Sequence, residues 1–288
     1  ACGLSLIAHR LLGPAHPVES SGQAALMRAR VADYIALGKP RITAMAVLAV
    51  CVGFWMGSSG GADWWLLAHT LIGAALVGLG GNALNQWYER DVDALMVRTR
   101  TRPLPAGRLR PARAAAFGAV TSTLGVAWLA LVVTPLAGLL GLVTLVSYVG
   151  LYTPLKRKTS LCTLVGAVPG ALPPVIGWVA ARGTLSLEAW LLFALLFFWQ
   201  LPHFLALGLV HREDYARGGL RILSVVDPDG ASTARQVVLY GLALVLTSLL
   251  PAVLGLAGPL YFFGAFVLGL AFICATVWTA SLRSRALA

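Results

Sequence analysis

The chain has 288 residues, of which 58% are hydrophobic and only 11% charged, and its mean hydropathy is +0.81. A soluble globular domain carries about a quarter of its residues as charges, so this composition excludes that class and points to an integral membrane protein. The net charge of +11 would suit a nucleic-acid partner, but the placement of the charges along the chain argues for no nucleic acid.

Residues 1–32 read as a polar N-terminal tail with no need to be ordered. Their opening, ACGLSLIAHRLLGPAHPVESSGQ, makes a poor secretory signal because its apolar run is short and broken by His9 and Arg10. Eight apolar stretches follow, at about 42–58, 64–88, 113–132, 136–154, 161–181, 187–210, 234–254 and 259–280. Each is long enough to cross a ~30 Å hydrocarbon core as a helix. None has the ~10-residue alternation of a barrel strand. The expected fold is all-α, a polytopic transmembrane helical bundle forming one domain over 33–288. Cys51, Cys162 and Cys274 fall in these stretches and read as small hydrophobes; with Cys2 they form no C-x-x-C, and no disulfide framework or zinc site is expected.

The second stretch ends in NQWYERDVDALMVRTRTRPLPAG, residues 85–107. Asn85, Glu89 and Asp93 are spaced i, i+4, i+8 and share one helix face, with Asn82 near the same stripe and Asp91 pointing elsewhere. Stacked oxygen donors can gather Mg²⁺, which takes carboxylates and completes its shell with water and substrate phosphates. Arg98 and Arg102 follow, and guanidinium groups bind phosphate bidentately. The segment therefore suits a diphosphate substrate. The competing reading is a solvated helix end with i, i+4 salt bridges.

The fourth stretch runs into SYVGLYTPLKRKTS, residues 147–160. Tyr148, Tyr152 and Lys156 keep an i, i+4 spacing, although Pro154 is expected to break the helix. Lys156, Arg157 and Lys158 serve as topology signals or as diphosphate ligands. The fifth stretch carries Pro169, Gly170, Pro173, Pro174 and Gly177. Prolines free carbonyls and make room for a ligand, while small residues also allow close helix packing. The sixth stretch closes with WQLPHFLALGLVHREDYARGG, residues 199–219, where His203, His211 and Asp214 fall on roughly one face and Glu213 adjoins them. A lone intramembrane His is often a packing residue; Pro202 before it and the acids two turns on favour a functional role for His203.

All but one of the 22 basic residues fall on one side of this topology, the exception being Arg182. By the positive-inside rule that face is cytoplasmic. The rule does not account for the acids. Of the 11, Glu89, Asp91 and Asp93 follow the second stretch, and Glu213, Asp214, Asp227 and Asp229 follow the sixth, all on that same face. The two halves match in plan, which suggests a cavity with two acidic lips.

These residues resemble the UbiA-type intramembrane prenyltransferases, whose first motif is N-x3-D-x3-D followed by R-T; here Asn85, Glu89 and Asp93 precede Arg98-Thr99. NALNQWYERDVDALMVRTRTRPLPAG, YTPLKRKTS, GALPPVIGW, LPHFLALGLVHREDYARGG and DYIALGKPRIT together resemble the branch of that family that farnesylates protohaem IX to make haem O. The likeness covers nearly the whole chain from about Asp33. Glu89 stands where many members have Asp, Cys162 where Asn is expected, and LRILSVV where a proline-containing segment is expected. The family has nine spans, so the last is expected to be absent or cut off here.

The resemblance implies an Mg²⁺-dependent transfer of the farnesyl group of farnesyl diphosphate to a vinyl group of haem B, with release of diphosphate. It implies Asn85, Glu89, Asp93 and His203 as catalytic residues, and Arg98, Arg102, Lys156, Arg157 and Tyr152 as diphosphate ligands. It implies His211, Glu213 and Asp214 as a second acidic cluster. The metal set is Asn85, Glu89, Asp93 and Asp214. His203 would position the haem or ligate it axially. Expected partners are farnesyl diphosphate, haem B and the lipid bilayer, with an oligomer or a haem A synthase as protein partner. The expected site is the cell membrane of a bacterium, the alternative being the mitochondrial inner membrane. Competing functions are prenylation of an aromatic or chlorophyllide acceptor, a transporter, and a structural subunit. A transporter would place charge near the bilayer midplane, and a structural subunit leaves the clustered acids without a purpose.

Overall fold

Proline opens four of the long helices, where its missing N–H costs nothing and its fixed φ suits the first turn. The computed structural model describes residues 29–58 and 60–286, with side chains through Ser281. The tail reading for residues 1–28, with Cys2, His9, Arg10 and Arg28, lies outside the described residues, as do the side chains of Arg283 and Arg285. Residues 29–37 already form a helical lead-in. Eight spans follow: α1 (Pro40–Gly57), α2 (Trp64–Asp93), α3 (Pro111–Val133), α4 (Pro135–Leu155), α5 (Cys162–Arg182), α6 (Leu187–Val210), α7 (Ala231–Val253) and α8 (Pro259–Ala286). No strand occurs among the described residues.

Local signals set the ends. Asp63 caps α2 by accepting from the N–H groups of Trp65 and Leu66, both at 3.0 Å. Thr134 caps α4 through the N–H of Ala137 at 3.1 Å. Gly183 ends α5 in the left-handed region at φ 76°, where a side chain would be strained.

α5 is the centre of the bundle: 72% of its apolar window is buried, against 11% for α8, which packs chiefly on α7. Despite Pro169, Pro173 and Pro174, α5 is one continuous helix. Its small residues serve close packing. Gly177 lies against the backbone of Val50, and Gly53 of α1 against the backbone of Pro174, each so near that a Cβ would collide with main chain. α2 packs on α3 by the same means, with Gly80 against Ser122 and Gly118 against Leu84.

The helix of α4 does not break at Pro154, contrary to expectation. A π-helical segment over Val146–Tyr152 widens the turn that precedes the proline, and the helix continues to Leu155. Such bulges tolerate an interrupted hydrogen-bond ladder and re-aim side chains.

The charged connections meet at one end of the bundle. Asp214, in a short helix Arg212–Arg217 after α6, accepts from the backbone of residues 97 and 98 after α2. The N–H of Arg221 donates to the carbonyl of Lys156, after α4, at 2.7 Å.

Candidate functional site

The last three turns of α2 carry a polar stripe along one face. Asn82, Asn85, Glu89 and Asp93 share that stripe. Asn85 is fully buried and Asp93 is 1% exposed, while the side chain of Asp91, on another face, is 82% exposed beside Arg90. Burying two carboxylates requires partners; Lys156 and Arg102 supply them, and Lys39 holds the Asn85 amide.

Lys156, just past α4, donates to Glu89 Oε1 at 2.7 Å and lies over the ring of Tyr152 at 4.4 Å. Arg102 donates to Asp93 Oδ2 at 2.7 Å. Lys39, just before α1, donates to Asn85 Oδ1 at 2.7 Å and to the Tyr148 hydroxyl at 3.4 Å. The Asn85 amide nitrogen donates in turn to Glu89 Oε2 and to Thr153 Oγ1, each at 3.0 Å. Tyr148 and Tyr152 stack at 6.0 Å on successive turns of the π-helical segment.

Lys39 was not legible as a site residue. It has the single positive φ (47°) among the described non-glycine residues. Two amides of α2 hold the turn that carries it. Gln86 donates to the carbonyls of Ala36 and Leu37 at 2.9 Å, and Asn82 donates to the carbonyl of Gly38 at 3.2 Å and to Thr43 Oγ1 at 3.1 Å. A strained residue held by its surroundings is a common mark of a functional position. Burial, and then the nearby Arg102, push the Lys39 ammonium down to about 7. Burial also opposes the charge of Lys156, but Tyr152 and Glu89 outweigh it and hold that ammonium above the ordinary lysine value.

Chemically, the cluster is a set of hard oxygen donors with an excess of cations beside it, at the polar end of an apolar bundle. That combination recognises a compact polyanion bearing a hydrocarbon tail.

Residues 46–288 match the UbiA prenyltransferase family. The chain is 49% identical over 261 residues to the protoheme IX farnesyltransferase of Solibacter usitatus (strain Ellin6076), covering 88% of this chain and 89% of that one.

The chain belongs to the UbiA prenyltransferase family.

It is also 46% identical to the protoheme IX farnesyltransferase of Anaeromyxobacter sp. (strain Fw109-5), over 83% of this chain and 80% of that one. Among solved structures, a digeranylgeranylglyceryl phosphate synthase superposes with a TM-score of 0.74 at 18% identity, over 90% of this chain and 93% of that one. A UbiA homologue from Archaeoglobus fulgidus bound to DMAPP and Mg²⁺ gives a TM-score of 0.65 at 18% identity, over 87% and 86%. The protein is thus a multi-pass integral membrane prenyltransferase with the UbiA helical fold.

Of the residues singled out for a UbiA site, the structure brings together Asn85, Glu89, Asp93, Arg102, Lys156 and Tyr152. The others lie apart. Arg98 docks on Tyr215, its guanidinium 5.5 Å from the ring and donating to the hydroxyl at 3.3 Å. Arg157 is exposed. His203 is exposed on α6 and stacks on Trp199 at 5.3 Å. His211 packs edge-on to Tyr215 at 6.1 Å, and Glu213 is exposed.

The contacts of Asp214 do not match the metal role expected for it. Its Oδ1 accepts from the N–H of Val97 at 3.0 Å and from Arg217 at 2.8 Å, and its Oδ2 accepts from the N–H of Arg98 at 3.1 Å. The Arg98 N–H bond, outweighing partial desolvation, holds this carboxyl below the ordinary range. Asp214 is a clasp between two connections. Two more acids of this region are helix caps: Asp227 accepts from the N–H and hydroxyl of Thr233 at 2.7 Å, and Asp229 accepts from the N–H of Ala231 at 3.1 Å. Asp214, Asp227 and Asp229 of the second group therefore have a structural explanation that the positive-inside rule lacks.

Among the described residues no three Asp, Glu, His or Cys side chains converge into a metal cage. Mg²⁺ does not need one, since it is commonly bound by one or two carboxylates together with substrate phosphates. Asn85, Glu89 and Asp93 offer oxygen donors of that kind, and the cations now on them are long lysine and arginine side chains. The residues fit a metal that arrives with a diphosphate.

Proposed function

We propose that this prenyltransferase transfers the farnesyl group of farnesyl diphosphate to a vinyl group of haem B, making haem O and releasing diphosphate. The similarity to protoheme IX farnesyltransferases, over nearly the full length of both chains, supports the acceptor. The observation that carries the chemistry is the buried cluster in which Lys39, Arg102 and Lys156 surround Asn85, Glu89 and Asp93.

Asn85, Glu89 and Asp93 would hold Mg²⁺, the ion bound together with DMAPP in the Archaeoglobus homologue. Mg²⁺ would neutralise charge on the departing diphosphate. The chain's own groups do the rest. Lys156 and Arg102 can turn their N–H donors from the carboxylates to phosphate oxygens, and Lys39, now on Asn85, can do the same. Donors aimed at the leaving group lower the barrier to breaking the allylic C–O bond because charge develops there. The faces of Tyr148 and Tyr152 flank the site, and an aromatic face stabilises a nearby cation. The apolar spans keep bulk water from the allylic cation. The charged end of the bundle faces the cytoplasm by the positive-inside rule.

The test is haem O formation in membranes supplied with haem B and farnesyl diphosphate, with and without Mg²⁺. Asp93→Ala should abolish turnover and leave the protein folded, because Arg102 is partly hydrated and survives the loss of its partner. Full activity in that variant, or full activity after chelation, would overturn the reading.

A further inference from the structure

A cavity of about 330 Å³ lies at the charged end of the bundle, away from the acidic stripe. Arg30 and Tyr34 of the lead-in helix line one wall, and Arg108, Arg110 and Arg113, where the α2–α3 connection enters α3, line the other. It is separate from the prenyl-transfer site. The apolar cluster of Leu37, Leu104, Leu109 and Ala114 beside it takes in Ala83 and Trp87 of α2. Those two stand on a different face of that helix from Asn85, Glu89 and Asp93.

Four guanidinium groups around one hollow repel each other unless an anion joins them. Arg108 is held by Asp33 at 2.9 Å and by the carbonyl of Thr101 at 3.1 Å. No acidic side chain among the described residues forms an ion pair with Arg30, Arg110 or Arg113. The volume is at the lower end of small-ligand sites, about 300–1,000 Å³, so it admits more than a bare phosphate.

The surroundings identify the rest of the ligand. Tyr34 meets Phe117 of α3 edge to face at 5.2 Å. Arg113, Phe117, Val120 and Leu124 recur at helical spacing along one stripe of α3. Val120 is 57% exposed and Leu124 56%, both in a helix long and apolar enough to cross a membrane. A guanidinium cluster directly above a bare apolar stripe, at a membrane boundary, matches a molecule with an anionic head and acyl tails.

We propose that this cavity binds the phosphate headgroup of an anionic phospholipid, with its chains laid along Val120 and Leu124 of α3. The lipid ties the lead-in helix to the start of α3, and so steadies the turn that carries Lys39.

The test uses the full chain in a neutral detergent, mixed with dioleoylphosphatidylglycerol or dioleoylphosphatidylcholine, with retained lipid counted by native mass spectrometry. The expected result is retention of the anionic lipid at roughly tenfold lower concentration, on the scale of attraction per surface arginine. Arg110→Gln with Arg113→Gln should abolish that preference, Arg235→Gln should leave it unchanged, and millimolar inorganic phosphate should not displace the lipid. Should the double glutamine variant misfold, Arg110→Lys with Arg113→Lys keeps the charges and should keep the preference. The anionic lipid should also raise the thermal midpoint of the native chain where the neutral lipid does not. Equal retention of the two lipids, an undiminished preference in the double variant, loss of the preference in the lysine variant, or displacement by inorganic phosphate would each overturn the proposal.

Discussion

Replacing Lys39 by methionine separates catalytic from structural roles for a half-buried lysine. Methionine keeps the length and the apolar stem and deletes only the ammonium. That ammonium donates to an amide oxygen and a hydroxyl, Asn85 Oδ1 and the Tyr148 hydroxyl. Two neutral acceptors compensate only in part for lost hydration, which for an enclosed ion amounts to several kcal/mol. Deleting it relieves that cost and leaves Asn85 Oδ1 without a donor, a loss of about 1–3 kcal/mol. The fold should therefore be unchanged or more stable. Function should move the other way. A hydrogen bond from a charged donor is worth about 1.5–3 kcal/mol, which is roughly 10- to 100-fold in affinity. The assay is binding of farnesyl diphosphate without acceptor, alongside the thermal midpoint in the same detergent. Lys39→Gly is the companion variant, since it also removes the left-handed strain of about 1–2 kcal/mol. Native affinity in Lys39→Met, or a clear fall in its midpoint, would refute the reasoning and make Lys39 a structural residue.

Glu89→Gln should lower turnover by about 100-fold or more, because an amide neither pairs with the Lys156 ammonium nor binds a metal as a carboxylate does; single-turnover haem O formation measures it. Gly53→Ala and Gly177→Ala should each destabilise the bundle by about 1–3 kcal/mol, because the added methyl meets main chain across the α1–α5 contact; denaturant midpoints in mixed micelles report this. Asp214→Asn supplies one acceptor oxygen for two N–H groups and should expose residues 94–110 to protease at neutral pH. In the native chain the Asp214 carboxyl is held below its ordinary value. Its clasp is therefore complete above the unfolded aspartate value, about 4, and is lost only as pH falls through the folded value. Proteolysis of the native protein should accelerate only in acid, and that of the variant should be fast throughout.

The spans were legible because hydropathy and length leave few alternatives for a chain in lipid: each boundary read from the sequence falls within a few residues of the helix observed. The acidic stripe was legible because i, i+4 spacing on a helix fixes a shared face without tertiary information. Lys39 was not, because nothing local to GKPRIT says that the turn before α1 points inward; amides from Gln86 and Asn82, over forty residues away, decide that. The contacts of Asp214 were not legible for the related reason that sequence spacing placed it near a basic loop but could not reveal that backbone N–H groups of that loop meet both its oxygens. The prolines of α5 and Pro154 of α4 show the same limit. A proline signals a potential break, and the neighbouring packing, or a π-helical turn, decides whether the break occurs.

The resting cluster also explains how a membrane enzyme keeps such a site ready. Lys39, Arg102 and Lys156, when protonated, exceed Glu89 and Asp93 by one positive charge. A fully ionised prenyl diphosphate with one Mg²⁺ carries one net negative charge, so the loaded site is neutral. On the proposed reading, each carboxylate would exchange a side-chain cation for the metal, and each displaced cation would be free to meet a phosphate oxygen. The loaded state would leave no uncompensated charge in a low-dielectric setting, where one would cost several kcal/mol, and at rest the single excess charge can be shed by Lys39, whose ammonium is pushed down to about 7. An enzyme with an empty, metal-free pair of buried carboxylates and no lysine or arginine on them would have to protonate them or unfold locally between turnovers. Here the groups proposed to bind the substrate also pair with the carboxylates in its absence, so substitutions of Lys156 and Arg102 should alter the metal requirement as well as diphosphate affinity. Lys156→Met frees Glu89 of its competitor, and with substrate saturating it should shift half-maximal activity to a lower Mg²⁺ concentration even as maximal turnover falls. A requirement that rises instead would mean that Lys156 acts only on the phosphate and has no part in guarding the carboxylate.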